Sequence, residues 1–244
     1  MKIKHLHSWD VTYTEAITIQ QELKEKLILH DEDLIEPIKT IAGADVSYAK
    51  ESKLFFATVV LLAYPTMKII EETSASENAR FPYIPGLLTF REGPALLKAF
   101  QKLNHTPDAI VFDGQGIAHP RGIGLASHMG LILNIHAVGC AKTRLIGSYD
   151  QVGERVGDWT PLMSNNQLIG AVLRTKEKVK PVFVSQGYRI GLKRAVAVVL
   201  SCCTGYRLPE PIRLAHLAGR RLRTGKSTSN PGLQAHVSYK TFPF

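Results

Sequence analysis

An unbroken apolar run, Ala109-Ile110-Val111-Phe112, ends on a carboxylate, Asp113. A flexible loop follows at once, Gly114-Gln115-Gly116-Ile117-Ala118-His119-Pro120-Arg121-Gly122. The run reads as a fully buried strand, which would deliver the Asp113 charge to the open edge of a sheet. A chain with such a strand must bury it beneath other elements, and the rest of the sequence supplies them.

Ahead of the run lie three β-type segments, Thr40–Tyr48, Leu54–Tyr64 and Met67–Ser74. The turns between them, Lys50 to Lys53 and Pro65-Thr66, are short, which implies an antiparallel meander. A capping box at Thr12-Tyr13-Thr14-Glu15 opens a helix running to about Ile28, expected on the outside of the sheet. Glu77 to Leu88 has no period, and Pro82 and Pro85 bar it from a helix or a central strand. Thr89 begins a helix with Glu92 in its first turns and Leu96, Leu97, Phe100 and Leu103 on one face. After the glycine loop, a helix over Leu125–Ile135 precedes a short strand over Ala137–Ala141. Lys142 to Thr160 reads as loop. Gln167–Thr175 and Val179–Ser185 read as a β pair, Gly187–Cys203 as a buried helix, and Leu208–Leu222 as an arginine-rich helix. Three antiparallel strands followed by alternating strands and helices make one mixed α/β domain. From Thr224 onward Ser, Thr, Gly, Asn and Pro dominate, as in a loose tail.

At 244 residues the length suits one well-filled domain. No apolar run approaches the roughly 20 residues of a membrane span, and the N-terminus lacks an apolar signal region. A cytoplasmic protein with no membrane association is the expectation. The net charge of +9 favours polyanionic partners but does not identify one. Cys140, Cys202 and Cys203 offer neither a disulfide framework nor a paired metal motif.

Three carboxylates stand out by position. Asp45 lies inside the first strand, Asp113 ends the fourth, and Glu92 lies just inside a helix. If the first and fourth strands are neighbours, Asp45 and Asp113 share a site. Carboxylates that close repel unless a cation lies between them, and Mg²⁺ or Mn²⁺ suits an oxygen-only site. The alternative is three unrelated acids, with Glu92 favoured by the helix dipole. The glycine loop departs from a dinucleotide fingerprint, because its third required position is His119 and no acid stands near residue 136, so no nucleotide cofactor is expected. Gly225-Lys226-Ser227 is not a P-loop, since Gly219 is one residue too far back. His216 lies on the basic helix and by itself reads as a structural histidine. His5 and His7 have no further ligands nearby in sequence, so a zinc site is not expected. Tyr83, between two prolines, is a hydrophobic plug or a rigid wedge for bases.

Taken together, Gly43-Ala44-Asp45-Val46-Ser47-Tyr48, Pro82-Tyr83-Ile84-Pro85-Gly86-Leu87-Leu88 with Phe90-Arg91-Glu92, and Asp113-Gly114-Gln115-Gly116 with His119-Pro120-Arg121 resemble the endonuclease V family. Lys142, Ser185 to Arg189 and His216-Leu217-Ala218 extend the resemblance, which spans about residues 10 to 223. It implies a ribonuclease H-like fold over residues 1 to 223, with 224 to 244 as the tail. It implies Asp45, Glu92 and Asp113 as ligands of Mg²⁺, with Mn²⁺ able to substitute. Lys142 and His216 join them as catalytic residues. Pro82, Tyr83, Ile84 and Pro85 would form a strand-separating wedge, and Leu88, Gly114, Gly116, His119 and Leu145 a pocket for a flipped base. The implied activity is DNA repair by hydrolysis of the second phosphodiester 3′ of deoxyinosine, or of inosine in RNA. The competing readings are a non-catalytic nucleic-acid-binding protein and a structure-specific nuclease of the same fold.

Overall fold

The structure is a computed structural model that describes residues 3–31, 37–48 and 53–224. Its centre is one eight-stranded sheet in the order β3-β2-β1-β4-β5-β8-β7-β6. Strands β1 (Thr40–Tyr48), β2 (Leu54–Ala63) and β3 (Lys68–Asn78) form the expected antiparallel meander. Strand β4 (Ala109–Phe112) pairs in parallel with β1 on one side and with β5 (His136–Ala141) on the other. Beyond β5 the sheet turns antiparallel through β8 (Val182–Tyr188), β7 (Gln167–Leu173) and β6 (Trp159–Ser164).

Strand alternation sorts the core into two layers. Ala42, Ala44, Ile110 and Phe112 face one layer with α1 (Tyr13–Lys24), α2 (Leu88–Gln101) and α3 (Leu125–Leu133). Ile41, Ala109, Val111 and Val138 face the other, under α4 (Leu192–Ser201) and α5 (Glu210–Thr224). All four residues of β4 are buried because helices cover both its faces, the arrangement its unbroken apolar run requires.

Several boundaries differ from the sequence reading for identifiable reasons. β6 was not expected: its first two residues fall in the Lys142–Thr160 loop, the rest carried no assignment, and Pro161 hides the strand. Proline is tolerated there because β6 is the sheet's last strand, and on its outer side the described residues bridge it at Met163, through Ser148, and not at Pro161. β8 runs through Gly187 and Tyr188, which the apolar pattern assigned to a helix. A Cβ on Gly187 would lie 2.4 Å from the Ala137 carbonyl oxygen, so this glycine permits close strand pairing. Helix α4 starts only at Leu192. α1 stops at Lys24, short of Ile28, α3 stops at Leu133, two residues short of Ile135, and α5 is shifted two residues along from the expected Leu208–Leu222. β3 continues four residues past Ser74. Most of the turn expected at Lys50 to Lys53, and the tail beyond Thr224, lie outside the described residues. Among the described residues no helix is long and apolar enough to cross a membrane.

Candidate active site

Parallel pairing brings the first two carboxylates together. Ala44 stands opposite Phe112 in the β1–β4 register, so Asp45 and Asp113 follow at the same level. The Asp113 backbone N–H donates to the Ala44 carbonyl across the pair at 3.4 Å. Glu92 arrives from α2 as its fifth residue, and the first turn holds no acid. The dipole explanation for its position therefore does not apply, and Glu92 is instead buried against the sheet, 9% exposed.

The three acids sense one another. Burial raises the Glu92 carboxyl to about 8, and repulsion from Asp45 and Asp113 adds to the effect. Burial also raises Asp45, with Asp113 adding, against the lowering influence of His216 and Lys142. Two groups oppose the accumulated negative charge. Lys142 Nζ donates to Asp113 Oδ2 at 2.5 Å, and His216 Nδ1 lies 3.0 Å from Asp45 Oδ2.

Both partners are fixed from below. The Lys142 carbonyl accepts from Arg207 Nη2 at 2.6 Å, and the Thr143 carbonyl accepts from Gln115 Nε2 at 3.0 Å. Arg207 had no sequence signal, because its role is to cap backbone carbonyls from a distant loop. Gln115 was visible only as part of a motif. His216 is placed by the close approach of α5 to β1. A Cβ on Gly43 would stand 2.0 Å from the Pro211 carbonyl oxygen, so only glycine lets the helix reach this depth. Thr58 Oγ1 donates to the Ala215 carbonyl at 2.7 Å and Ser47 Oγ to that of Gly219 at 3.1 Å, pinning the helix.

The Pro82–Pro85 segment lies just ahead of α2, the helix that carries Glu92. Phe81 is buried at its base and Ile84 packs inward, while Tyr83 is 66% exposed. Its far end is tied at Gly86, whose φ is +80°. The Gly86 carbonyl lies 3.0 Å from His119 Nε2 and accepts from Arg121 Nη2 at 2.6 Å and Gln20 Nε2 at 3.0 Å. His119 Nδ1 accepts the Arg121 backbone N–H at 3.2 Å, which leaves the ring proton on Nε2, pointing at Gly86. Burial lowers His119 to about 4, with Arg121 adding, so the ring is neutral near pH 7.

Leu88 is half-buried, and Leu145 is exposed at 46%. Gly114 is half-buried, whereas Gly116 is buried. A Cβ on Gly116 would lie 2.0 Å from the Gln186 carbonyl oxygen, and one on Gly139 2.3 Å from the Gly116 nitrogen. The glycine loop thus lies flat on β5 and β8, which alone accounts for glycine at position 116. His7, for which the sequence offered no further ligand nearby, lies 2.7 Å from buried His128, Nε2 to Nε2.

The donor set suits a hard divalent cation. Asp45, Glu92 and Asp113 are oxygen-only, and Glu92 has no hydrogen-bond partner among the described residues. As the side chains stand, no group of three or more His, Cys, Asp and Glu among the described residues is arranged to hold a metal ion. The reason is local, because Asp113 is turned onto Lys142 and Asp45 onto His216. A cation between the acids would substitute for those contacts.

A mixed sheet of this order, with carboxylates converging from β1, β4 and the covering helix, belongs to the ribonuclease H-like nucleases. Residues 21–217 match the sequence profile of the family described as Endonuclease V. Endonuclease V of Dehalococcoides mccartyi is 49% identical over 222 residues, covering 91% of this chain and 99% of the relative. The crystal structure of Streptomyces avermitilis Endonuclease V is 37% identical with a TM-score of 0.84, covering 92% of this chain and 99% of that one. Ciona intestinalis Endonuclease V, solved in complex with a 24mer DNA containing an inosine followed by a ribo-adenosine, is 31% identical. Its TM-score is 0.79, covering 87% of this chain and 98% of that one. The chain belongs to the endonuclease V family.

Proposed function

We propose that this protein is a Mg²⁺-dependent endonuclease acting at deoxyinosine in DNA or inosine in RNA. It would hydrolyse the second phosphodiester 3′ of the lesion, leaving 3′-hydroxyl and 5′-phosphate ends, as a DNA repair step. The observation that carries the reading is the junction of Asp45 and Asp113 at adjoining parallel strands, with Glu92 as third acid. The inosine-bearing DNA in the complex of the Ciona relative supports the choice of lesion.

Asp45, Glu92 and Asp113 would hold Mg²⁺, with Mn²⁺ as a substitute. When bound, the ion supplies charge neutralisation at the phosphate and activation of water. Lys142 carries its positive charge at the edge of the cluster, where a phosphate oxygen would compete with Asp113 for Nζ. The His216 side chain is 53% exposed while its Nδ1 is held by Asp45. That leaves Nε2 directed to solvent, suited to orient a water or move a proton. Tyr83 on its proline-flanked tip would enter the duplex as the lesion leaves the stack. Leu88, Gly114, Gly116, His119 and Leu145 would receive the base. Neutral His119 orders the Gly86 backbone rather than charging the pocket.

The test is cleavage of an end-labelled inosine oligonucleotide, with and without Mg²⁺, beside undamaged and branched controls. One Mg²⁺-dependent cut two phosphodiesters 3′ of inosine is expected. Binding without cleavage would favour a non-catalytic protein, and cleavage of the branched control alone would favour a structure-specific nuclease.

A further inference from the structure

The segment after Lys142 carries two exposed side chains for which the proposed reaction has no use. The Arg144 guanidinium carbon stands 5.7 Å from the centre of the Tyr149 ring, within cation–π range. Tyr149 is 39% exposed. Its ring also meets Phe183 edge-on, at 5.7 Å between centroids. Phe183 pairs with Ala141 across β5 and β8, and Ala141 immediately precedes Lys142. Tyr149 therefore packs on β8, two strands beyond the Asp113 strand, at the end of the sheet where the carboxylates converge.

The backbone beneath it is fixed. Ser148 exchanges two hydrogen bonds with Met163, at 2.7 and 2.9 Å, and Gly147 takes φ +87° to allow it. Arg144 forms no ion pair with a carboxylate among the described residues, so its charge is uncommitted. Leu145, a candidate pocket residue, lies between the two in sequence. An exposed aromatic ring beside a guanidinium that pairs with no carboxylate among the described residues is the chemistry that holds unpaired bases, since every base offers a π-face and every nucleotide a phosphate.

We infer that Arg144 and Tyr149 form a stacking platform for an unpaired base flanking the lesion on the cleaved strand. The inference rests on the inosine-endonuclease reading. A pair serving only to brace the loop would be indifferent to whether the substrate carries a base at any given position, and the experiment turns on that difference.

Full-length protein is assayed with Mg²⁺ on single-stranded inosine oligonucleotides. These carry 2-aminopurine, or an abasic residue, at each position flanking inosine in turn. Wild type is expected to quench 2-aminopurine at one flanking position and to show a KM about tenfold higher when that position is abasic. Tyr149→Ala should raise KM about tenfold on the intact substrate, with a smaller effect on kcat, and lose nothing further on the abasic one. Tyr149→Phe should behave as wild type, and Arg144→Ala should flatten the salt dependence of binding. Melting temperatures of the variants separate loss of folding from loss of the platform. Wild-type KM in Tyr149→Ala, or an equal loss on intact and abasic substrates, overturns the platform while leaving the endonuclease reading intact. No cleavage of any inosine substrate by wild type overturns both.

Discussion

Glu92 is a carboxylate placed where water and hydrogen-bond donors are scarce, with Arg91 the opposing influence among the described residues. Its proton is retained to about 8, against 4.5 in the unfolded chain. Between those values the folded protein binds a proton that the unfolded chain has lost. Stability contributed by this group therefore falls as pH rises from about 4.5 to about 8, then levels off. Metal-free wild type should lose more thermal stability over that window than Glu92→Gln. Mg²⁺ binding near pH 7 should release about one proton, measured by calorimetry in two buffers of different ionisation enthalpy. Identical heats in both buffers would contradict the placement of Glu92 among the ligands. The same residue marks a limit of sequence reading. The helix beginning near Thr89 was legible, but which side of it met the sheet acids was not, and an acid near a helix start has a common electrostatic explanation.

Two elements carry the site's shape, and each is testable as an element. The proline-flanked segment is anchored at Phe81 and Gly86 and holds Tyr83 out without a helix or strand. Tyr83→Ala should weaken binding to inosine-containing duplex by about tenfold, a loss on the scale of one stacked base, and spare binding to single strands. Equal losses on both would remove the wedge role. Helix α5 reaches β1 only because residue 43 lacks a side chain. Gly43→Ala should cost about 1–3 kcal/mol in denaturant unfolding by overpacking, and should cut cleavage as His216 moves off Asp45. Unchanged stability and activity would show that α5 can shift at no cost. The prolines of the exposed segment announced themselves in the sequence. The need for Gly43 did not, because it depends on a helix some 170 positions away.

Across the molecule, legibility followed the range of the physics. Strand β4 and its terminal carboxylate were plain because a four-residue apolar run has one sensible environment, and β1 was found with its observed ends. The meander followed from short turns. The second half was less legible, since β6 contains Pro161 and the β8–α4 boundary falls inside the single helix read over Gly187–Cys203. The meeting of Asp45 with Asp113 required strand order, which spacing leaves open and the family resemblance supplied. Arg207 and Gln115 hold the Lys142 segment through carbonyls; Arg207 left no pattern to read, and Gln115 was visible only as part of the glycine-loop motif.

Asp45, Glu92 and Asp113 would act as one metal-binding unit that cuts the strand. The most direct test compares wild type with Asp45→Asn, Glu92→Gln and Asp113→Asn, measuring Mg²⁺-dependent cleavage of an inosine oligonucleotide beside its binding without metal. Each variant should lose about a thousandfold or more in cleavage while lesion binding stays within a fewfold of wild type. Wild-type cleavage by any one of the three would contradict the account.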